Sequence, residues 1–105
     1  MLAVPGNHEY DAQDFDAAHL RLQAACTRWG ITWLERATVV LQGVRFVGTT
    51  LWSDFDALAI ERGTTDPTRL LALREKAYRA ANFYLRKTGT ARAGQPWLAE
   101  GVRAQ

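Results

Sequence analysis

Met1-Leu2-Ala3-Val4-Pro5-Gly6-Asn7-His8-Glu9-Tyr10 is the stretch on which the fold turns. Four apolar residues run into Pro-Gly, the pattern of a buried strand that ends in a turn. Three polar residues then stand at the strand's carboxyl end, where α/β sheets gather their ligands. Asn7 offers a neutral hard oxygen suited to a divalent metal. His8 can give a proton or a hydrogen bond to a phosphate oxygen or a leaving group. Glu9 can orient the imidazole. Gly6 lets the chain turn sharply and lets a ligand approach the backbone. The same four residues also make an ordinary polar turn.

Working outward, residues 12–29 carry Phe15, Ala18, Leu22, Cys26 and Trp29 at helical spacing, so one helix face is apolar. Asp11 or Asp14 can cap its start, and Gly30 can stop it. Ile31–Leu34 and Thr38–Gln42 are short β-type runs, and Val44–Trp52 is a third. Gln42-Gly43 between apolar runs predicts a tight hairpin. Ser53–Thr65 reads as loop with a short helical turn. Asp66-Pro67 is a cap followed by proline at the first helical position, and the helix runs over 67–87. Its stripe passes through Leu70, Leu73, Ala77, Ala80 and Tyr84, widened by Leu71, Tyr78 and Leu85, and is expected to pack on the sheet. Thr88–Gln95 reads as a linker. Pro96-Trp97-Leu98 reads as the start of a last short helix. The order strand, helix, strands, helix, helix defines an α/β class with part of the sheet antiparallel.

Composition bounds the function classes. The chain has 105 residues, 48% hydrophobic and 23% charged, which is globular and excludes disorder as the default. No run approaches the ~18 apolar residues of a membrane helix, and Met1–Asn7 shows no basic n-region and no apolar core of signal-peptide length, so a cytoplasmic setting without membrane contact is expected. The single Cys26 excludes a disulfide framework and a Cys-based zinc finger. Residues 1–66 hold nine acids against five bases, and residues 67–105 hold two acids against eight bases. A basic final third can face a phosphate-rich partner or simply be a solvated helix face.

Val4-Pro5-Gly6-Asn7-His8-Glu9-Tyr10 resembles the GNHE block of the calcineurin-like metallophosphoesterases. Gly43–Trp52 followed by Ser53-Asp54-Phe55 resembles a bacterial branch of that family. There the block is followed by a helix, a short hairpin and a strand ending in Leu-Trp-(Ser/Thr)-Asp-Phe. Trp97-Leu98 is similar to the helix that precedes the family's next metal-binding strand. The resemblance implies a β-sandwich flanked by helices, of which residues 1–105 are a part, incomplete at both ends. It also implies two divalent ions (Mn, Fe, Zn or similar) and a hydroxide that attacks phosphorus, the two-metal clamp. By position Asn7 is the family's metal ligand, and His8 is its catalytic histidine. The substrates implied are phosphate mono- or diesters, phosphorylated small molecules or nucleotides.

The departures are as informative. The family's Asp-x-His, Gly-Asp-x-x-Asp and Gly-His-x-His blocks are not in these residues. The chain alone is therefore expected to be inactive and to hold no ion pair of metals. An open strand edge is expected to favour self-association. The alternative is a non-catalytic interaction module on the same scaffold, with the basic helix docking an acidic partner.

Other constellations carry less. His19 and Cys26 lie seven apart, ~10 Å along a helix, too far for a nucleophile pair. Cys26 is expected as a small buried hydrophobe. Gly43–Thr50 lacks the lysine of a phosphate-binding loop. Asp54 and Asp56 fit a loop surface. The four tryptophans read as core or interface rather than as a stacking platform, so nucleic acid is not the expected partner.

Overall fold

The computed structural model describes all 105 residues. The chain begins with β1 (Leu2–Ala3), which pairs in parallel with β2 (Thr32–Trp33), Leu2 opposite Thr32 and Ala3 opposite Trp33. A parallel pair needs a crossover, and α1 (Phe15–Arg28) supplies it. Asp14 is its cap, its carboxylate accepting from Ala17 N at 3.0 Å. Gly30, at φ +67, turns the chain out of the helix toward β2.

β3 (Ala37–Leu41) and β4 (Val44–Gly48) form the expected antiparallel hairpin. Gln42 and Gly43 both have positive φ, 49° and 77°, the signature of a type I′ turn whose twist matches the strands. Gly48 is required for packing as well. A Cβ there would stand 2.6 Å from the carbonyl oxygen of Leu34. The third pair, β5 (Ala91–Arg92) with β6 (Gln95–Pro96), is a small hairpin turned by Ala93 and Gly94 at φ 52° and 77°. This corrects the linker expected over 88–95. It also moves Pro96 from the last helix into a strand.

Three helices complete the chain. α2 (Ala57–Glu61) is the short helical turn expected within 53–65. α3 (Pro67–Thr88) starts as expected, with Asp66 accepting from Arg69 N at 3.3 Å, and ends on Gly89 in the left-handed region. α4 (Ala99–Arg103) begins two residues after Trp97. The chain is thus mixed α/β, with four α-helices and three two-stranded ladders.

α3 packs against α2 and α4, which corrects the expectation that it lies on the sheet. Asp56 joins the three helices. It accepts both arms of the Arg74 guanidinium at 2.7 Å each, and Arg103 approaches at 3.6 Å. Asn82 on α3 is buried, and its Oδ1 accepts from Ala99 N at 2.8 Å, capping α4. The main core gathers Tyr10, Phe15, Ala18, Trp97 and Val102, with Trp52, Phe55 and Leu85 at its margin. The indole of Trp97 lies on Gly101, where a Cβ would come within 2.6 Å of the ring.

That core is small for the chain. The accessible surface is 7415 Å², against about 5,900 Å² for a folded monomer of this mass. The radius of gyration is 16.7 Å, against about 13 Å for a compact chain of this length. The shape is a slab 17 Å thick. The β3–β4 hairpin pairs with no further strand, and Leu41, Val44 and Phe46 are exposed on one of its faces. No helix is long and apolar enough to cross a membrane.

Candidate functional site

The Gly6–Glu9 turn is set by what holds its two ends. Upstream, Pro5 is buried, and its carbonyl lies 2.7 Å from the Thr50 hydroxyl. The same hydroxyl is 2.6 Å from Glu35 Oε2, which also accepts from Thr50 N at 2.7 Å. This clasp ties the end of β1 to the segments on either side of the β3–β4 hairpin. Downstream, Tyr10 is 1% exposed. Its carbonyl accepts from the Thr90 hydroxyl at 3.0 Å, and Ala12 N donates to Thr88 O at 2.7 Å. Between these anchors Asn7–Tyr10 forms a single 3-10 turn in which Asn7, His8 and Glu9 are exposed.

That turn brings His8 and Asp11 together. Nδ1 of His8 lies 2.8 Å from Oδ2 of Asp11. A carboxylate can only accept, so Nδ1 carries a proton, and Nε2 makes no hydrogen bond within the chain. The His8 side chain is 73% exposed. The orienting acid is thus Asp11 and not Glu9. The Glu9 carboxylate folds back over Gly6, 2.8 Å from where a Cβ would stand, so the space that glycine leaves is already used. Gly6 itself has an ordinary φ of −90°.

Asn7 is exposed and stands where two hollows meet. One is a cavity of about 20 Å³ walled by Asp11, Trp52, Thr88, Thr90 and Trp97, space for a single water. The other is an open groove of about 360 Å³ between α3 and residues 51–55. No group of three or more His, Cys, Asp or Glu side chains converges to hold a metal ion. One amide oxygen at Asn7 and an imidazole whose Nδ1 is already engaged do not fit a two-ion centre, which needs several oxygen and imidazole donors per ion.

The remaining candidates take structural roles. His19 is part of the core wall: its Nδ1 meets the Tyr10 hydroxyl at 3.2 Å, and Trp33 stands edge-on to its ring. Burial, reinforced by the charges of Glu35 and Glu9, pushes the Tyr10 hydroxyl up to about 12, so it stays protonated. Cys26 is half-buried and free, less enclosed than expected. Asp56 is not a loop-surface acid. Its side chain is 18% exposed, and the hydrogen bonds from Arg74 hold its carboxyl below the usual range. Of the tryptophans, Trp97 is buried, Trp33 and Trp52 are half-buried, and Trp29 is exposed. Two features went unread in the sequence. The spacing His8-x-x-Asp11 was the available sign of the dyad, since residues three apart meet across one helical turn. The groove had no local sign, because α3 and residues 51–55 are distant in sequence.

Compared with protein-family models, with curated proteins and with solved structures, the chain matches none.

Proposed function

We propose that residues 1–105 are part of a calcineurin-like metallophosphoesterase domain, a helix-flanked β-sandwich that hydrolyses phosphate mono- or diesters. The observation that carries this reading is the His8–Asp11 dyad at the carboxyl end of β1, within the Gly-Asn-His-Glu block. Asp11 holds the imidazole with Nε2 outward, and in its doubly protonated form the ring can give the Nε2 proton to a departing oxygen while Nδ1–H stays on Asp11. Asn7, beside it, supplies a neutral oxygen acceptor. The donors here do not fit two divalent ions, so no step is routed through metal. In this reading the further ligands come from outside these residues, and the isolated chain turns nothing over. The work belongs in the cytoplasm, where a chain whose single cysteine stays free needs no oxidising compartment.

The test uses the longest polypeptide encoded in frame around these residues, assayed with aryl phosphates of graded leaving group. His8→Ala is expected to lower kcat by about 10²–10⁴, the range for a lost proton donor, with the loss shrinking as the leaving group improves. Full activity in His8→Ala overturns the reading.

A further inference from the structure

The open groove beside Asn7 is not used by the reading above. Trp52, Phe55, Leu85 and Val102 form its floor. Tyr84 and Leu51 flank it, 68% and 91% exposed. These two are conspicuous on a soluble surface, because nothing in the chain covers them although the core margin lies beside them. The volume, about 360 Å³, falls in the range of small-molecule sites, ~300–1,000 Å³.

The lining contains no charged side chain. A phosphate seated there would be desolvated without a counter-charge, which is strongly unfavourable. The occupant that fits is uncharged. Three aromatic side chains, Trp52, Phe55 and Tyr84, present ring surface to the groove, and a flat ring can stack or meet them edge-on. Asn7 lies on the groove wall, and His8 is the next residue in the chain. The Ser53 hydroxyl is already engaged by Phe55 N at 2.9 Å.

We infer that the groove receives the uncharged aromatic ring of the ester's organic half, an aryl group or a nucleobase, while the phosphate stays at Asn7 and His8. This rests on the phosphoesterase reading for the phosphate end alone. It makes Tyr84 and Leu51 specificity-determining residues.

The experiment is an NMR titration of the purified chain with three probes: methyl phosphate, phenyl phosphate and phenol. The Trp52 indole and the His8 imidazole are followed. Phenyl phosphate is expected to bind about tenfold more tightly than methyl phosphate, the scale of one good aromatic contact. The Trp52 signal should move with phenyl phosphate and with phenol. Tyr84→Ala and Leu51→Ser alter exposed side chains, and each should remove most of the preference while leaving methyl phosphate unchanged. Equal affinity for phenyl and methyl phosphate overturns the inference, and so does a preference that survives both variants. Phenol binding that falls in Tyr84→Ala, with no gain from phosphate and a silent His8, upholds the groove and overturns the reading of Asn7 and His8. Adenosine 5′-phosphate in place of phenyl phosphate then separates a nucleobase from a simple aryl group.

Discussion

Nδ1 of His8 and Oδ2 of Asp11 meet at 2.8 Å across one 3-10 turn, on a surface where nothing else contacts the imidazole through a hydrogen bond. The pair is exposed, so its contribution to stability is small, about 0–1 kcal/mol and screened by salt. Its consequence is orientation. A neutral imidazole that donates from Nδ1 has a bare Nε2 pointing to solvent. Nitrogen NMR of the neutral His8 side chain should therefore report the Nδ1–H tautomer. In Asp11→Ala the population should swing toward Nε2–H, the form favoured by an unconstrained histidine. The same tautomer mixture in both proteins would remove Asp11 from any orienting role.

The Asp56–Arg74 pair predicts an acid limit. The Asp56 carboxyl is held low, first by its hydrogen bonds from Arg74. A folded-state value below the unfolded one gives stability that is complete above the unfolded value and is lost as pH falls through the folded one. Loosening of α2, α3 and α4 is expected below about pH 4. Helical signal followed from pH 6 to 2 should fall later in the parent than the loss already present in Asp56→Asn, whose curve should be flatter. Identical acid profiles would mean the clamp contributes nothing.

At the alkaline end the sign reverses. Tyr10 is raised to about 12 by burial, so the unfolded chain gives up this proton more readily than the folded one. Stability is complete below the ordinary tyrosine value of ~10 and declines as pH rises toward 12. Tyr10→Phe keeps the ring against Phe15, at 4.4 Å between centroids, and removes the titrating group. Denaturation midpoints between pH 8 and 11.5 should drop more steeply in the parent than in Tyr10→Phe. Parallel slopes would show that the hydroxyl does not titrate differently on unfolding.

Asn82 should be costly to lose. It is buried, and its side chain is what satisfies Ala99 N at the start of α4. Truncation leaves that N–H without a partner in a closed site, at about 1–3 kcal/mol. Asn82→Ala should lower the thermal midpoint and release Trp97, seen as a change in tryptophan emission. Asn82→Asp should retain much of the cap, since a carboxylate also accepts. Equal stability of Asn82→Ala and the parent would show that water satisfies Ala99 N.

These contacts also show where the sequence could be read and where it could not. Asp14, Gly30, Asp66-Pro67 and Gln42-Gly43 act through their own backbone neighbours, so their roles were visible in the order of residues. Tyr84 was read as buried because it continues the stripe from Leu70 and Ala77. Instead α3 packs on α2 and α4, with Arg74 bound to Asp56, Asn82 bound to Ala99 N and Leu85 against the core. Leu85 stands 100° around the helix from Tyr84, and the covered face shifts toward it. Ala93-Gly94 was missed because alanine at positive φ has no turn signature. Asp56 was misread because its partners Arg74 and Arg103 lie 18 and 47 residues away.

The hairpin β3–β4 makes the last prediction. Its opposed pairs Val39 with Phe46 and Leu41 with Val44 share one face, and that face is largely exposed. A lone two-stranded hairpin is marginal in water unless a face is covered. The chain shows about 1,500 Å² more surface than a compact monomer of its mass. A stable interface removes about 800 Å² from each partner, so the surplus is large enough for one. Sedimentation velocity over a range of concentrations should show reversible association of the purified chain. A Val44→Lys, Phe46→Lys double variant places two charges on the apolar face and leaves the Gln42-Gly43 turn intact. It should shift the chain toward monomer with its helical signal unchanged. If the helical signal also falls, amide exchange of α3 separates association from unfolding, because α3 packs on α2 and α4. A parent that stays monomeric at every concentration, or a double variant that associates as strongly as the parent, would show that this face does not mediate the contact.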